Sequence, residues 1–269
     1  MKKIYCLLFA GCFSATFMMR AQDKTAVITT NMGTMKVRLY SDVPNHSRTF
    51  VDRATKGDFN GTLFTRIIKD FMIQGGAPDS KNAPAGARVG FGNRNAEIMP
   101  ELREHYFHKK GAFVAPRQND DINPQKKSDM SQFFIVQGKV YRPGELDTLQ
   151  RAANMPARRK AMDEFYQPVR EEMEALKTAN PVEYNKRVVE INAKVDSVIR
   201  ATPGHLLFSG EQIEAYTTIG GSHHLDGQYT IFGELTEGFD VLDQIAALPK
   251  DSHDRPKKDV RIIHIIIEQ

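Results

Sequence analysis

Beyond residue 12 the sequence contains no cysteine. If the N-terminal segment carrying Cys6 and Cys12 is removed, disulfides, thiol catalysis and cysteine-based zinc sites are excluded together. Stability must then come from core size, and 269 residues are enough to bury a sizeable core. There is no tryptophan, which matters at one position below. The net charge of +4 is mild, and no Lys/Arg stripe interleaves with aromatics, so nothing argues for a nucleic-acid partner. No internal repeat is apparent. His223-His224 has no carboxylate at ligand spacing, and adjacent histidines of this kind read as a polar loop, not a metal site.

What is present starts with a leader-like segment. Lys2-Lys3 precede an apolar stretch from Ile4 to Met19, about the length of a signal-peptide core and short for a membrane span. Cleavage is expected after Ala21, although Met19 is a poor small-residue match at the −3 position. Phe9-Ala10-Gly11-Cys12 is similar to a lipobox and leaves lipidation at Cys12 as the alternative; a membrane contact would follow only from that. Against it, the apolar run continues past Cys12. The expectation is an exported protein, periplasmic or envelope-associated, with residues 1–21 as signal peptide.

The most informative stretch is Phe64-Thr65-Arg66-Ile67-Ile68-Lys69-Asp70-Phe71-Met72-Ile73-Gln74-Gly75-Gly76. Strand alternation over 64–68 predicts Phe64, Arg66 and Ile68 on one face. After a turn at Lys69-Asp70, a second strand sets Met72 and Gln74 together, with Phe71 and Ile73 opposite. An arginine among apolar groups is costly unless something holds it, and Gln74 is the candidate. Gly75-Gly76 ends the pairing.

Around it, residues 25–40 predict a β-hairpin turning at Asn31-Met32-Gly33. Asp42-Val43-Pro44 predicts a helix start, with Phe50, Val51 and Ala54 as its apolar face. Residues 77–110 predict a long ordered loop. Strands are expected at 111–115, 131–136, 229–233 and 260–268, and a short helix over 240–248. Residues 139–217 are different in style. Met162, Phe165, Val169, Met173 and Leu176, then Tyr184, Val188, Ile191, Val195 and Val198, recur at spacings of three and four, the seam of a packed helix pair. Asn180-Pro181 is the turn between them, and Pro168 should kink the first helix. Ser209-Gly210-Glu211-Gln212 is similar to a capping box.

These pieces together resemble a cyclophilin, a peptidyl-prolyl cis–trans isomerase. Phe64–Gly76 matches the pattern F-H-R-x-I-x-x-F-M-x-Q-G-G, with Thr65 in place of the usual His. Ser131-Gln132-Phe133-Phe134-Ile135 matches S-Q-F-F-I. Leu225-Asp226-Gly227 with Phe232-Gly233 matches L-D-G-x-x-x-x-F-G. Phe107-His108-Lys109-Lys110-Gly111 with Ala115-Pro116-Arg117 is similar to the bacterial middle segment. The order is the family's. The resemblance implies a mainly β fold, a closed eight-stranded antiparallel barrel capped by helices, built from 22–138 and 218–269. Residues 139–217 are then an inserted α-helical hairpin.

The implied activity is rotation about X-Pro bonds in proline-containing polypeptides. It needs no cofactor, nucleophile or metal. The resemblance gives Arg66 the donor role toward the proline nitrogen and Gln74 the task of orienting it. Phe71, Met72, Phe134 and Leu225 match proline-pocket positions, and Gln132 with the main chain around Arg117 would hold the peptide. Three positions depart on the binding wall. His224 stands where many eukaryotic members carry Trp, implying weak cyclosporin binding. Tyr229 stands in place of a pocket His. Pro116 replaces the usual Ala and removes one N–H donor. Read singly, Arg66 is a surface arginine, Phe134 and Leu225 are plain core, Gln132 is an exposed loop-edge amide, and His108 is a satisfied structural histidine. The second function class is a binding module or chaperone-like clamp working through 145–208, by a partner contact or self-association. A self-packed hairpin with no partner is the plainer alternative.

Overall fold

The structure, a computed structural model, describes residues 23–268. The leader segment, its cleavage site and both cysteines lie outside the described residues. The chain runs β1 (Lys24–Thr30), β2 (Gly33–Leu39), α1 (Pro44–Thr55), β3 (Phe64–Ile68), β4 (Met72–Gly75), β5 (Glu97–Ile98), β6 (Ala112–Val114), β7 (Ser128–Asp129) and β8 (Phe133–Val136). Then come α2 (Glu145–Phe165), α3 (Arg170–Ala179), α4 (Pro181–Ala201), α5 (Gly210–Thr218), β9 (Ile231–Glu237), α6 (Phe239–Ala246) and β10 (Ile262–Glu268).

Eight strands form one antiparallel sheet in the order β10-β1-β2-β9-β6-β8-β4-β3, and β5 pairs with β7 separately. Alternation sets the inner face: in β1, Ala26, Ile28 and Thr30 are buried, and in β2, Met35, Val37 and Leu39. Gly33, at φ 139°, makes the tight connection between them. The sheet curls through 236° and is not strictly closed. The gap is spanned by the chain entering β3, where Gly61 N–H donates to Ile262 O at 2.8 Å and Phe64 N–H to Val260 O at 2.9 Å. Full closure was the expectation; short connections replace a ladder there.

Inside lie Phe50, Phe59, Phe64, Phe113, Phe133 and Phe232, all fully buried, with ring centroids 4.7–6.0 Å apart. Each contributes about 2 kcal/mol by leaving water, which suits a core that no disulfide supports. Phe50 comes from α1, so that helix closes one end. Its start at Pro44 follows from proline fitting a first helical turn.

Strict alternation fails in β3. The pairing jumps from Phe64↔Gly75 to Arg66↔Gln74, a bulge at Thr65. Phe64 and Ile67 therefore enter the core while Arg66 faces outward. Arg66 does not share a face with Phe64, as simple periodicity had suggested.

Between β8 and β9 the chain leaves the sheet. Ala161, Met173, Ile191, Val195 and Ile199 form a separate buried cluster, with Met162, Phe165, Val169, Tyr184, Val188 and Val198 packed on it. Of the seam read from sequence every member but Leu176 lies in this cluster, and Ile199 is more deeply seated than Val198. Pro168 does more than kink: a 3-10 turn at Gln167–Val169 separates α2 from α3. At the base, Lys139 pairs with Gly221 and Tyr141 N–H donates to Tyr216 O at 2.9 Å, so the two ends of the excursion meet. Among the described residues no helix is long and apolar enough to cross a membrane.

Candidate active site

The β3–β4 hairpin presents Arg66 and Gln74 side by side as cross-strand partners. Arg66 is 44% exposed and, among the described residues, makes one ion pair, Nε to Asp254 Oδ2 at 3.5 Å. Asp254 also accepts from Lys250 Nζ at 2.6 Å. Gln74 was expected to hold the arginine. Its amide instead donates to Gln132 Oε1 at 3.1 Å, and Gln132 Nε2 donates to Asp129 Oδ2 at 3.0 Å. The physical reason is reach: β4 pairs with β8 so that Gln74 opposes Phe134, and Gln132 lies just before that strand. An amide–amide–carboxylate chain results, fixing both glutamines; among the described residues nothing engages the Arg66 Nη groups. Gln132 is buried, not the exposed loop-edge amide that it could have been in isolation.

Next to this chain lies an apolar patch. Met72, Phe134 and Leu225 are only 2%, 4% and 6% exposed. Phe134 meets Tyr229 edge-on at 5.9 Å, and Phe71 meets His224 at 5.3 Å. The Arg117 guanidinium sits 4.8 Å over the Tyr229 ring and donates through Nε to Gln228 O at 2.8 Å. Arg117 thus holds the Tyr229 wall with its side chain. Pro116 O accepts from Asp129 N–H at 2.8 Å. Strand pairing and contacts join Arg66, Gln74, Gln132, Phe134, Tyr229, Arg117 and Pro116, and separately Phe71 with His224, while Met72 and Leu225 lie in the same buried core; these eleven residues come from four separate segments.

A cleft of about 80 Å³ adjoins it, lined by Gln74, Glu97, Pro116, Arg117, Asp129 and Gln132, with Gly90 and Phe91 at its edge. Asp129, Asp254 and Phe91 were not anticipated. Asp129 had a signal, sitting three residues before Gln132 beside a known motif; Asp254 and Phe91 lie in loops with none. The largest cleft described, about 350 Å³, lies elsewhere, between Arg38, Tyr40, Lys109 and Glu234. Its Arg38 and Lys109 are already paired with Glu234.

Below the patch, His108 is wholly buried. Its Nδ1–H donates to Asp226 Oδ1 at 2.9 Å, the tautomer that the network requires, and among the described residues Nε2 has no partner. Burial holds its pKa below the ordinary value, against the pull of Asp226. His224 is lowered too, by burial and then by the nearby His108.

Comparison with known proteins decides the family. The family model described as cyclophilin type peptidyl-prolyl cis–trans isomerase matches residues 25–267. The chain belongs to the cyclophilins. A Staphylococcus saprophyticus protein named as a peptidyl-prolyl cis–trans isomerase is 27% identical over 242 residues, covering 90% of each chain. A Streptococcus pyogenes protein, named as a bifunctional phosphatase and peptidyl-prolyl cis–trans isomerase, is 26% identical over 87% of this chain and 37% of its own. Among solved structures, a Cryptosporidium parvum cyclophilin aligns with a TM-score of 0.53 at 18% identity, covering 92% of this chain and 99% of that one. The same parasite cyclophilin, solved in the presence of the dipeptide Ala-Pro, aligns at 0.51. These likenesses support the cyclophilin fold here.

Proposed function

We propose that this cyclophilin isomerises X-Pro bonds of exported polypeptides, with Arg66 as the hydrogen-bond donor and Phe71, Met72, Phe134, Leu225 and Tyr229 as the proline pocket. An X-Pro bond has two isomers close in energy, separated by a barrier of about 20 kcal/mol because rotation breaks amide resonance. At the twisted state the proline nitrogen becomes pyramidal and accepts a hydrogen bond. A donor aimed at that nitrogen favours the transition state over either planar ground state.

The observation that carries the proposal is the posture of Arg66. Its side chain is 44% exposed, its Nε lies 3.5 Å from Asp254 Oδ2, and among the described residues nothing engages its Nη groups. A guanidinium stays charged, and its planar fork can serve an anchor on one edge and a substrate on the other. The Gln74–Gln132–Asp129 chain gives the neighbouring peptide fixed polar contacts, so one side is held while the other rotates. The parasite cyclophilin solved with Ala-Pro supports proline peptides as the substrate class. Export is proposed from the leader-like sequence at 1–21, and mass spectrometry of the mature N-terminus separates cleavage after Ala21 from lipidation at Cys12.

The decisive test is cis-to-trans conversion of a proline peptide by wild type and Arg66→Ala. Losing one donor should remove about 2–4 kcal/mol of transition-state stabilisation, about 30- to 1,000-fold in kcat/KM. Equal rates would remove Arg66 from the mechanism.

A further inference from the structure

Asp226 follows Leu225 of the apolar patch, and its carboxylate is fully engaged from two sides. Oδ1 accepts from the backbone N–H of His108 at 2.8 Å and from His108 Nδ1–H at 2.9 Å. Oδ2 accepts from the Tyr216 hydroxyl at 2.5 Å and from Gln212 Nε2 at 3.3 Å. His108 belongs to the barrel, just before β6. Tyr216 and Gln212 belong to α5, the last helix of the excursion.

Several features make α5 a rigid lever here. Gln212 closes a capping box with Ser209, its Oε1 accepting from Ser209 N–H at 2.9 Å, so one amide spans the helix start and Asp226. Tyr216 is fully buried among Phe107, Tyr141, Phe208 and His223. Gly221 leaves no room for a Cβ, because Tyr216 and His108 O fill that space. The consecutive histidines then face opposite ways: His223 packs on Tyr141 and Phe208 of the excursion's base, His224 on Phe71 of the patch.

We infer that α5 positions the proline pocket: Tyr216 and Gln212, acting through Asp226, set where Leu225 and His224 stand, and so couple the helical excursion energetically to peptide binding. This rests on the reading of the patch as the proline pocket. Tyr216 and Gln212 are positioning residues, since neither touches the patch. Coupling of this kind is reciprocal, so a bound peptide must also steady α5.

The test uses the full chain with Tyr216→Phe, which keeps the ring and deletes the hydroxyl, and Gln212→Glu, which keeps a capping-box side chain and opposes Asp226 with like charge. Each should raise KM for a proline peptide about 3- to 10-fold, less than the full weight of one hydrogen bond to a charged group because the loss reaches the pocket only through Asp226, with kcat within about 2-fold, as expected when binding alone is weakened. In wild type the peptide should slow amide hydrogen exchange over 210–218, and in Tyr216→Phe that slowing should disappear. Unchanged KM and unchanged peptide-dependent exchange in both variants overturn the inference, as does a parallel fall of kcat with KM unmoved. Leu225→Ala separates the two levels. If it leaves KM unmoved, the pocket reading itself fails. If it raises KM while the α5 variants do not, only the coupling fails.

Discussion

Arg255 is 2% exposed, with every guanidinium nitrogen bonded. Nε and Nη2 meet the Asp259 carboxylate at 2.8–3.1 Å, and Nη1 donates to Pro84 O at 3.1 Å and Ala87 O at 2.6 Å. It thereby pins the 77–92 loop that carries Phe91 to the edge of the candidate site. Arg255→Met should cost about 3 kcal/mol, because a partly buried carboxylate and two carbonyls lose their donor; urea unfolding measures it. The histidines give the second residue-scale prediction. Burial lowers His46, whose Nδ1–H donates to Glu101 at 2.7 Å while Nε2 accepts from Ser128 at 3.0 Å. Burial pushes Glu101 up, but bonds from His46 and Asn45 outweigh it and leave it lowered. A histidine whose folded pKa lies below its unfolded value contributes fully above about pH 6.5 and loses stability as pH falls toward the folded value. The lowered carboxylate loses its contribution in the same direction, at lower pH. Unfolding free energy should therefore drop from pH 7.5 to 5.5, and His46→Gln should show a shallower drop.

At the scale of elements, periodicity and local chemistry explain most of what was legible. The β1–β2 hairpin turns at its Asn-Met-Gly, α1 starts at its proline, and the capping box at Ser209 forms as its S-x-x-Q spacing requires. The excursion's seam shows because side chains three and four apart share a helix face. Its cluster is separate from the barrel's, so damage there should stay there. Met173→Ala, at a fully buried position, should cost about 2–5 kcal/mol. Hydrogen exchange should then rise across 145–201 first, with barrel strands still protected. One element-level feature escaped and another was legible only in part. The bulge at Thr65 depends on how β3 pairs with β4, and Pro168 signals an interruption whose full α2–α3 break depends on a 3-10 turn packing onto the same cluster.

For the whole molecule, the telling fact is that Lys139 and Gly221 pair, closing the base of a long excursion onto itself. An insertion with adjoining ends costs the barrel little closure entropy. Deleting 145–208 and joining Gly144 to Ser209 keeps α5, so isomerisation should persist within about 3-fold, a shift of under 1 kcal/mol. If holding of an unfolded client or dimerisation vanishes with it, the excursion has work of its own; Val182 and Val189, both exposed on α4, would then merit substitution.

The sequence alone determined the family, most of the strands and helices (though not the short β5 and β7), and which residue types would gather around Arg66, because motifs and periodicity are local. Only the tertiary structure decided their partners. Asp254, nearly two hundred residues away in sequence, lies beside Arg66, and Gln74 reaches Gln132 instead. Tyr216 from the excursion and His108 from the barrel share Asp226. Contacts of that range are set by how the curled sheet brings loops together, and no spacing along the chain encodes them.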